Sequence, residues 1–399
     1  MVKVPWLTIV GLGEDAPEGL PRASLEALES AEFIIGPPRH LSLLPKVSAE
    51  LIPWPVPFAD GIARLDAMRG RRVVALASQD PFWFGAGSSI ARHLAPEEWT
   101  ALPGPSTFSW VAARMGWPLE TTLCRGLHAA PLTRLRPDLA RGTKLIVLLR
   151  DGTAVRDLAA YLETCGFGAS SLTIFESLGG PRERRTDATA DALPDSEFTH
   201  PVCTAIELAG TGAALPKSSG LADEWFDSDG QITKRPIRAL TLSALAPRPH
   251  EHLWDIGGGS GSVAIEWLLA HPSLRATSIE PRAERAARIA ANATRLGVDR
   301  LNVIHGPAPE ALAGLPPPDA VFIGGGLSAD MLDWLTAHLP ETTRLVANAV
   351  TLETEALLAQ AQAKWGGDLL RIELAHSAPL GSKRGWKSNY PVVQWSVTL

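Results

Sequence analysis

Leu253-Trp254-Asp255-Ile256-Gly257-Gly258-Gly259-Ser260-Gly261 runs directly into Ser262-Val263-Ala264-Ile265-Glu266-Trp267-Leu268-Leu269-Ala270-His271. A short apolar run ending at an acid, a glycine cluster and an amphipathic segment read as a buried strand, a tight turn and a helix N-terminus. Glycine suits such a turn because the backbone must adopt positive φ and let a ligand approach without Cβ atoms in the way. A second strand is expected at Ala276–Glu280, ending in an acid placed to accept both hydroxyls of a ribose. The ligand expected here is an adenosyl compound. Gly259, Gly261 and Ala264 satisfy a dinucleotide fingerprint, whereas the frame starting at Gly257 ends in Ser262 and fails. The denser Asp255, Gly257, Gly259, Gly261 spacing suits S-adenosylmethionine, which has no pyrophosphate to seat on the helix and an ammonium group that a nearby acid can serve. A purely structural turn is the remaining alternative.

The whole chain has 399 residues, too many for one ordinary core, which predicts two domains. The apolar fraction of 45% and charged fraction of 20% fit a globular enzyme. A net charge of −6 disfavours non-specific binding to nucleic acid or acidic membrane, so an anionic ligand needs a local basic cluster. Cys124, Cys165 and Cys203 match neither a disulfide framework nor a metal-ligand spacing; free thiols and no metal are expected. No leader pattern or membrane-length apolar run is seen, which predicts a cytoplasmic protein with no membrane partner.

From the start of the chain, strands are expected at Trp6–Val10, Phe33–Ile35, Val73–Ala77, Leu145–Leu149, Leu172–Glu176 and Pro201–Leu208, with helices between them. This alternation predicts an α/β domain over 1–208. Ala209–Ser219 is rich in small residues and lacks periodicity, as a linker does, and a second domain follows over 220–399. Beyond Glu280, strands are expected at Leu301–His305, Asp319–Ile323 and Arg344–Asn348, closed by an antiparallel pair, Leu369–Ala375 and Val392–Val397.

Gly11-Leu12-Gly13, Ser78-Gln79-Asp80-Pro81 with Phe84-Gly85, Pro103-Gly104-Pro105-Ser106-Thr107, Leu127-His128 and Leu178-Gly179 resemble, in this order, the CbiE-like branch of the tetrapyrrole methylases. The resemblance implies two α/β subdomains holding a methyl donor between them, with Gly11, Gly13, Asp80, Gly85, Ser106 and Thr107 as its binding residues. Gln79 stands where that family usually has glycine, and its Cβ narrows the approach of the backbone to the donor. In the second half, Ile232-Thr233-Lys234, Asp255 to Ser262, Ile265-Glu266, Ile279-Glu280, Asn292, Gly306-Pro307-Ala308-Pro309 and Val321-Phe322-Ile323-Gly324-Gly325 resemble the CbiT branch of the corrin-ring methylases. That resemblance implies a Rossmann-like, class I methyltransferase sheet. Its donor would touch Thr233, Asp255, Gly257, Gly258, Gly259, Ser260, Gly261, Glu280 and Ala308.

The fused arrangement is similar to the CobL-type decarboxylating methyltransferases of cobalamin biosynthesis. It implies methylation of precorrin-6Y at carbon 5 by the first domain and carbon 15 by the second, loss of carbon dioxide from the ring C acetate, and precorrin-8X as product. It also implies two S-adenosylmethionine sites, a small-molecule tetrapyrrole substrate and a homo-oligomer.

Methyl transfer from a sulfonium to an enamine-like ring carbon needs alignment more than a strong base or a metal. His376, with His305 as a second choice, is the candidate for protonating the carbanion left by decarboxylation; Lys234 is the second catalytic candidate. Arg182, Arg184, Arg185, Lys234, Arg235, Arg238, Lys383, Arg384 and Lys387 are candidates for gripping carboxylates, against the simpler reading of solvated charge. Competing readings are an NAD(P)-dependent oxidoreductase with a regulatory domain, a non-catalytic adenosyl-ligand sensor, and a chain whose first domain no longer methylates because of Gln79.

Overall fold

The computed structural model describes residues 5–399, and the chain divides into two compact units. One comprises Met1–Leu132 and Leu139–Ala213, the other Thr133–Asp138 and Ala214–Leu399. The division does not follow chain order strictly, because Thr133–Asp138 packs with the second unit: Arg134 forms a two-pronged ion pair with Asp299 at 2.8 and 2.9 Å. The 209–219 stretch is mostly exposed but is tied down at several points. The Thr211 and Gly212 amides donate to the Gly166 carbonyl, and Leu215 is buried in the second unit's core.

In the first unit one sheet is wholly parallel, in the order Glu50–Pro53, Phe33–Gly36, Val73–Ser78, Leu7–Leu12, Trp99–Leu102. Alternate side chains feed two cores. Leu7, Ile9, Val73 and Ala75 face one, and Val10, Leu12, Val74 and Leu76 the other, as expected where both faces of a parallel sheet are covered. The second sheet runs Leu123–Gly126, Lys144–Leu148, Val202–Glu207, Ser171–Glu176, Arg184–Thr189, and is antiparallel apart from its first pair. Several of these strands lack a sequence signature. Arg184–Thr189, which reads as a solvated charge run, is an edge strand whose arginines pair with Glu176 and Asp187.

The second unit holds a seven-stranded sheet in the order Asn302–His305, Arg275–Glu280, His252–Ile256, Ala320–Ile323, Arg344–Ala349, Val392–Thr398, Asp368–Ile372. The first five strands are parallel, and the closing pair is antiparallel as expected. Leu253, Ala320, Phe322 and Val346 pack beneath Ser262–Ala270 and Ala283–Arg295 on one face. Trp254, Val321, Ile323 and Leu345 pack beneath Ala329–His338 and Leu352–Trp365 on the other. A separate hairpin, Ala375–Leu380 with Lys383–Ser388, stands outside the sheet and was not expected from the sequence. Among the described residues no helix is long and apolar enough to cross a membrane.

Arg238 is fully buried. Its Nε donates to Glu266 at 2.5 Å and one terminal nitrogen to Asp223 at 3.1 Å, while the carbonyls of Leu221 and Thr233 accept from the same guanidinium. Glu266 also accepts the Gly220 and Leu221 amides, so one ion pair fixes the unit's entry segment against its central helix. Removing one partner of a buried pair leaves an uncompensated charge and typically costs about 3–5 kcal/mol. Arg238→Leu is therefore expected to lower the unfolding free energy from denaturant titration by that order, and Arg238→Leu/Glu266→Gln to recover most of it. Equal losses in the single and double variants would contradict the assignment.

Candidate active sites

The turn after His252–Ile256 opens a cavity of about 710 Å³ at the carboxyl ends of the parallel strands, the edge where doubly wound sheets bind ligands. Gly257 and Gly259 have φ of +72° and +60°. A Cβ on Gly257 would stand 2.8 Å from the Gly325 carbonyl oxygen, so both conformation and space demand glycine there. The Gly257 and Gly258 amides donate to the Ile279 carbonyl at 2.9 and 3.2 Å, tying the turn to the neighbouring strand. Glu280 ends that strand, buried, with Oε2 accepting the Gly259 amide at 2.9 Å and Oε1 the Arg282 amide at 3.0 Å. Ser260 lines the cavity and its Oγ is buried without a hydrogen-bond partner, a feature that calls for a ligand group.

Gly257, Gly258, Gly259, Ser260, Glu280, Ala308, Thr233 and Lys234 all line this cavity. Gly261 and Asp255 do not. Gly261 lies at the helix start, where a Cβ would meet Ile289 at 2.7 Å. Asp255 sits behind the turn, where it accepts from Ser278 Oγ at 3.2 Å and from the Ala264 amide. An ammonium contact is thus replaced by a buried brace. Lys234 is 3.6 Å from Asp223 and otherwise exposed. His376 and its register partner Lys387 lie on the exposed outer hairpin, away from the cavity, because that strand pairs outside the sheet. Arg384 and Lys383 share this hairpin, His305 caps the Pro281 carbonyl at 3.1 Å, and Arg238 is the buried anchor described above. Arg282, Arg285 and Asn348, absent from the sequence reading, also line the cavity. Arg285 holds Asp229 and Gln231 at 2.8 Å each, strapping the segment before Thr233 to the helix below. The available signal for Asn348 was a polar residue at the carboxyl end of an apolar strand.

A second cavity, about 380 Å³, lies within the first unit. Gly13, Asp80, Gly85, Ser106 and Thr107 line it together with Phe175 from the other sheet and His128 from the turn after Leu123–Gly126. Gly11 does not; a Cβ there would fall 1.7 Å from the Gln79 carbonyl oxygen, so its role is close backbone packing. Gln79 adopts φ +46°, the conformation that glycine takes without cost, and its side chain accepts a hydrogen bond from Thr107. Ser106 caps the following helix, accepting the Ser109 amide at 3.1 Å. Arg184 pairs with Glu176 on the neighbouring strand and Arg185 with Asp187 on its own, whereas Arg182 reaches Glu14 at 3.5 Å. Glu14, Arg39, His40 and His200, unmarked in the sequence, form a polar corner of the cavity. Burial, aided by the charge of Arg39, pushes His40 down to about 3, so it is neutral. Among the described residues no cluster of potential ligands could hold a metal ion.

The family model for tetrapyrrole (corrin/porphyrin) methylases matches residues 6–194, and that for the precorrin methyltransferase domain matches 224–399. A Sinorhizobium protein named precorrin-6Y C(5,15)-methyltransferase (decarboxylating) is 48% identical over 99% of this chain and 96% of its own length. The chain belongs to the precorrin-6Y C(5,15)-methyltransferase (decarboxylating) family. Two Salmonella typhimurium proteins are similar to parts of it. A cobalt-precorrin-6B C(15)-methyltransferase (decarboxylating) is 34% identical over 40% of the chain and 85% of its own length. A cobalt-precorrin-7 C(5)-methyltransferase is 26% identical over 45% of the chain and 88% of its own length. The precorrin-6Y methyltransferase fold is therefore a tetrapyrrole-methylase unit joined to a Rossmann-like class I methyltransferase unit, and membership of this methyltransferase family implies use of S-adenosylmethionine.

Burial, opposed by the Ser278 and Ala264 hydrogen bonds, raises the Asp255 carboxyl from 3.8 to about 7. A folded-state value above the unfolded one means that the fold holds the proton more tightly. The associated stability is present below pH 3.8 and is lost as pH rises towards about 7. Asp255→Asn removes this dependence. The stability of the native chain relative to Asp255→Asn should fall between pH 4 and pH 7 and level off above, as read by denaturant unfolding; a constant difference would contradict it.

Proposed function

We propose that the chain uses S-adenosylmethionine to methylate precorrin-6Y at carbons 5 and 15 and removes carbon dioxide from the ring C acetate, giving precorrin-8X. The first unit is read as the carbon-5 methylase and the second as the carbon-15 methylase and decarboxylase. The observation that carries this reading is the pair of separate cavities, one in each unit, in a chain whose two family-model matches are both methylases of this ring class. Two separate Salmonella relatives, each named for one of the two positions, support the division of labour.

S-adenosylmethionine, when bound, supplies the electrophilic methyl group in each cavity. In the second unit the Gly257–Gly259 turn and Ser260 Oγ would hold its amino-acid end, Glu280 its ribose and Ala308 the surroundings of the adenine. Thr233 and Lys234, fixed through Arg238, would close over it. In the first unit Gly13, Asp80, Gly85, Ser106 and Thr107 would take the donor. These residues align the ring carbon and the methyl group in line and exclude water. The ring carbon's own electron pair forms the new bond as the carbon–sulfur bond breaks. No metal is needed for this step. Exposed Leu380, Trp386 and Tyr390 on and beside the outer hairpin support a homo-oligomer.

Calorimetric titration of the full chain should find two S-adenosylmethionine molecules per chain. Glu280→Ala should abolish one of them, together with carbon-15 methylation, while leaving the other and carbon-5 methylation intact. One site in the native chain, or loss of both in the variant, would contradict the reading.

A further inference from the structure

Three neighbouring parallel strands of the first unit, Phe33–Gly36, Val73–Ser78 and Leu7–Leu12, deliver Arg39, Ser78 and Glu14 to one corner of its cavity. Glu14, only 6% exposed, accepts from Arg39 through one carboxylate oxygen, and its other oxygen lies 3.5 Å from Arg182. Two guanidinium groups thus share one buried carboxylate. The other terminal nitrogen of Arg39 meets His40 Nε2 at 2.8 Å and Ser78 Oγ at 3.5 Å. His40 is neutral and accepts this bond, so it orients Arg39 without adding charge. His200, also in the cavity wall, is likewise held towards its neutral form by burial. Asp80 is the other acid in this wall, and it accepts the Phe82 amide at 2.9 Å.

A guanidinium carries five donors, and Glu14, His40 and Ser78 engage three of those on Arg39. The side chain still lines the cavity and is 28% exposed. An arginine already held by three partners gives up little side-chain entropy on binding, and its Nε–H and remaining Nη1–H are left to donate singly to a carboxylate.

We propose that Arg39, locked by Glu14, His40 and Ser78 and assisted by Arg182, anchors a peripheral carboxylate of the macrocycle in the first unit and so sets which ring carbon faces the donor. This rests on the reading of the first unit as the carbon-5 methylase. Glu14, His40 and Ser78 act as positioning residues. The donor also carries a carboxylate, so its affinity is measured beside the KM for the macrocycle.

Arg39→Gln and Arg39→Lys in the full chain test it, with carbon-15 decarboxylating transfer in the same preparation as the control for folding. A charge-assisted hydrogen bond contributes about 1.5–3 kcal/mol, which converts to roughly a tenfold to hundredfold change. Arg39→Gln should raise the KM for precorrin-6Y in carbon-5 methylation by that factor, with S-adenosylmethionine affinity and carbon-15 transfer unchanged. Arg39→Lys, which keeps the charge but not the planar group held by Glu14, His40 and Ser78, should fall between Arg39→Gln and the native chain. An unchanged KM, or a parallel loss of donor affinity, would overturn the proposal. If Arg39→Gln also loses carbon-15 transfer, Arg39→Lys decides by the same readouts. Absence of carbon-5 methylation in the native chain would remove the underlying reading, and the proposal with it.

Discussion

Parallel strands release the chain along one edge, where backbone amides have no neighbouring strand to receive them. The Gly259 amide is one such group, and it donates to Glu280 at the end of the adjacent strand. This bond couples the glycine turn to the acid that follows it, and the cavity lies between them. Substituting either side disturbs both, because the same carboxylate also takes the Arg282 amide. Beneath the turn, Asp255 and Ser278 brace the same two strands from the buried side. Above it, the Arg238–Glu266 pair and the Arg285–Asp229 pair hold the segment that carries Thr233 and Lys234. The walls of this cavity are therefore held in place by charged pairs, with Glu280 and Arg285 in the lining and Arg238 behind it.

The first unit meets the same constraint differently. Its parallel sheet ends at Leu12 and Ser78, and the two chain exits touch where the Gln79 amide donates to the Leu12 carbonyl. Gly11 gives the space for that contact, while Gln79 takes a left-handed conformation that costs a side-chain-bearing residue about 1–2 kcal/mol. The turn of Gln79's side chain towards Thr107 leaves Asp80 and Thr107 in the cavity wall. Gln79 itself also lines the cavity.

Much of the second unit was legible in the sequence. Its central strands carry short apolar runs, and the turn after the first of them is written in alternate glycines, 257, 259 and 261, that take positive φ. The residues misread there share one cause: sequence spacing does not say on which side of a strand or turn a side chain emerges. Asp255 and Arg238 point into the core, and His376 sits on a hairpin whose polar strands carry no period-two apolar signal. In the first unit the turns that line the cavity at Gly13, Asp80 and Ser106 were legible through motif order. Arg39, Glu14 and His40 were not, because they come together only when three strands separated in sequence are laid side by side. The docking of Thr133–Asp138 onto the second unit was equally invisible, since the sequence there reads as an ordinary connection.

The most direct measurement is the mass of the macrocycle released from one full turnover with methyl-labelled S-adenosylmethionine. The account predicts two labelled methyl groups added and one carbon dioxide lost from each precorrin-6Y. A product carrying a single label, or two labels with every carboxylate retained, would contradict it.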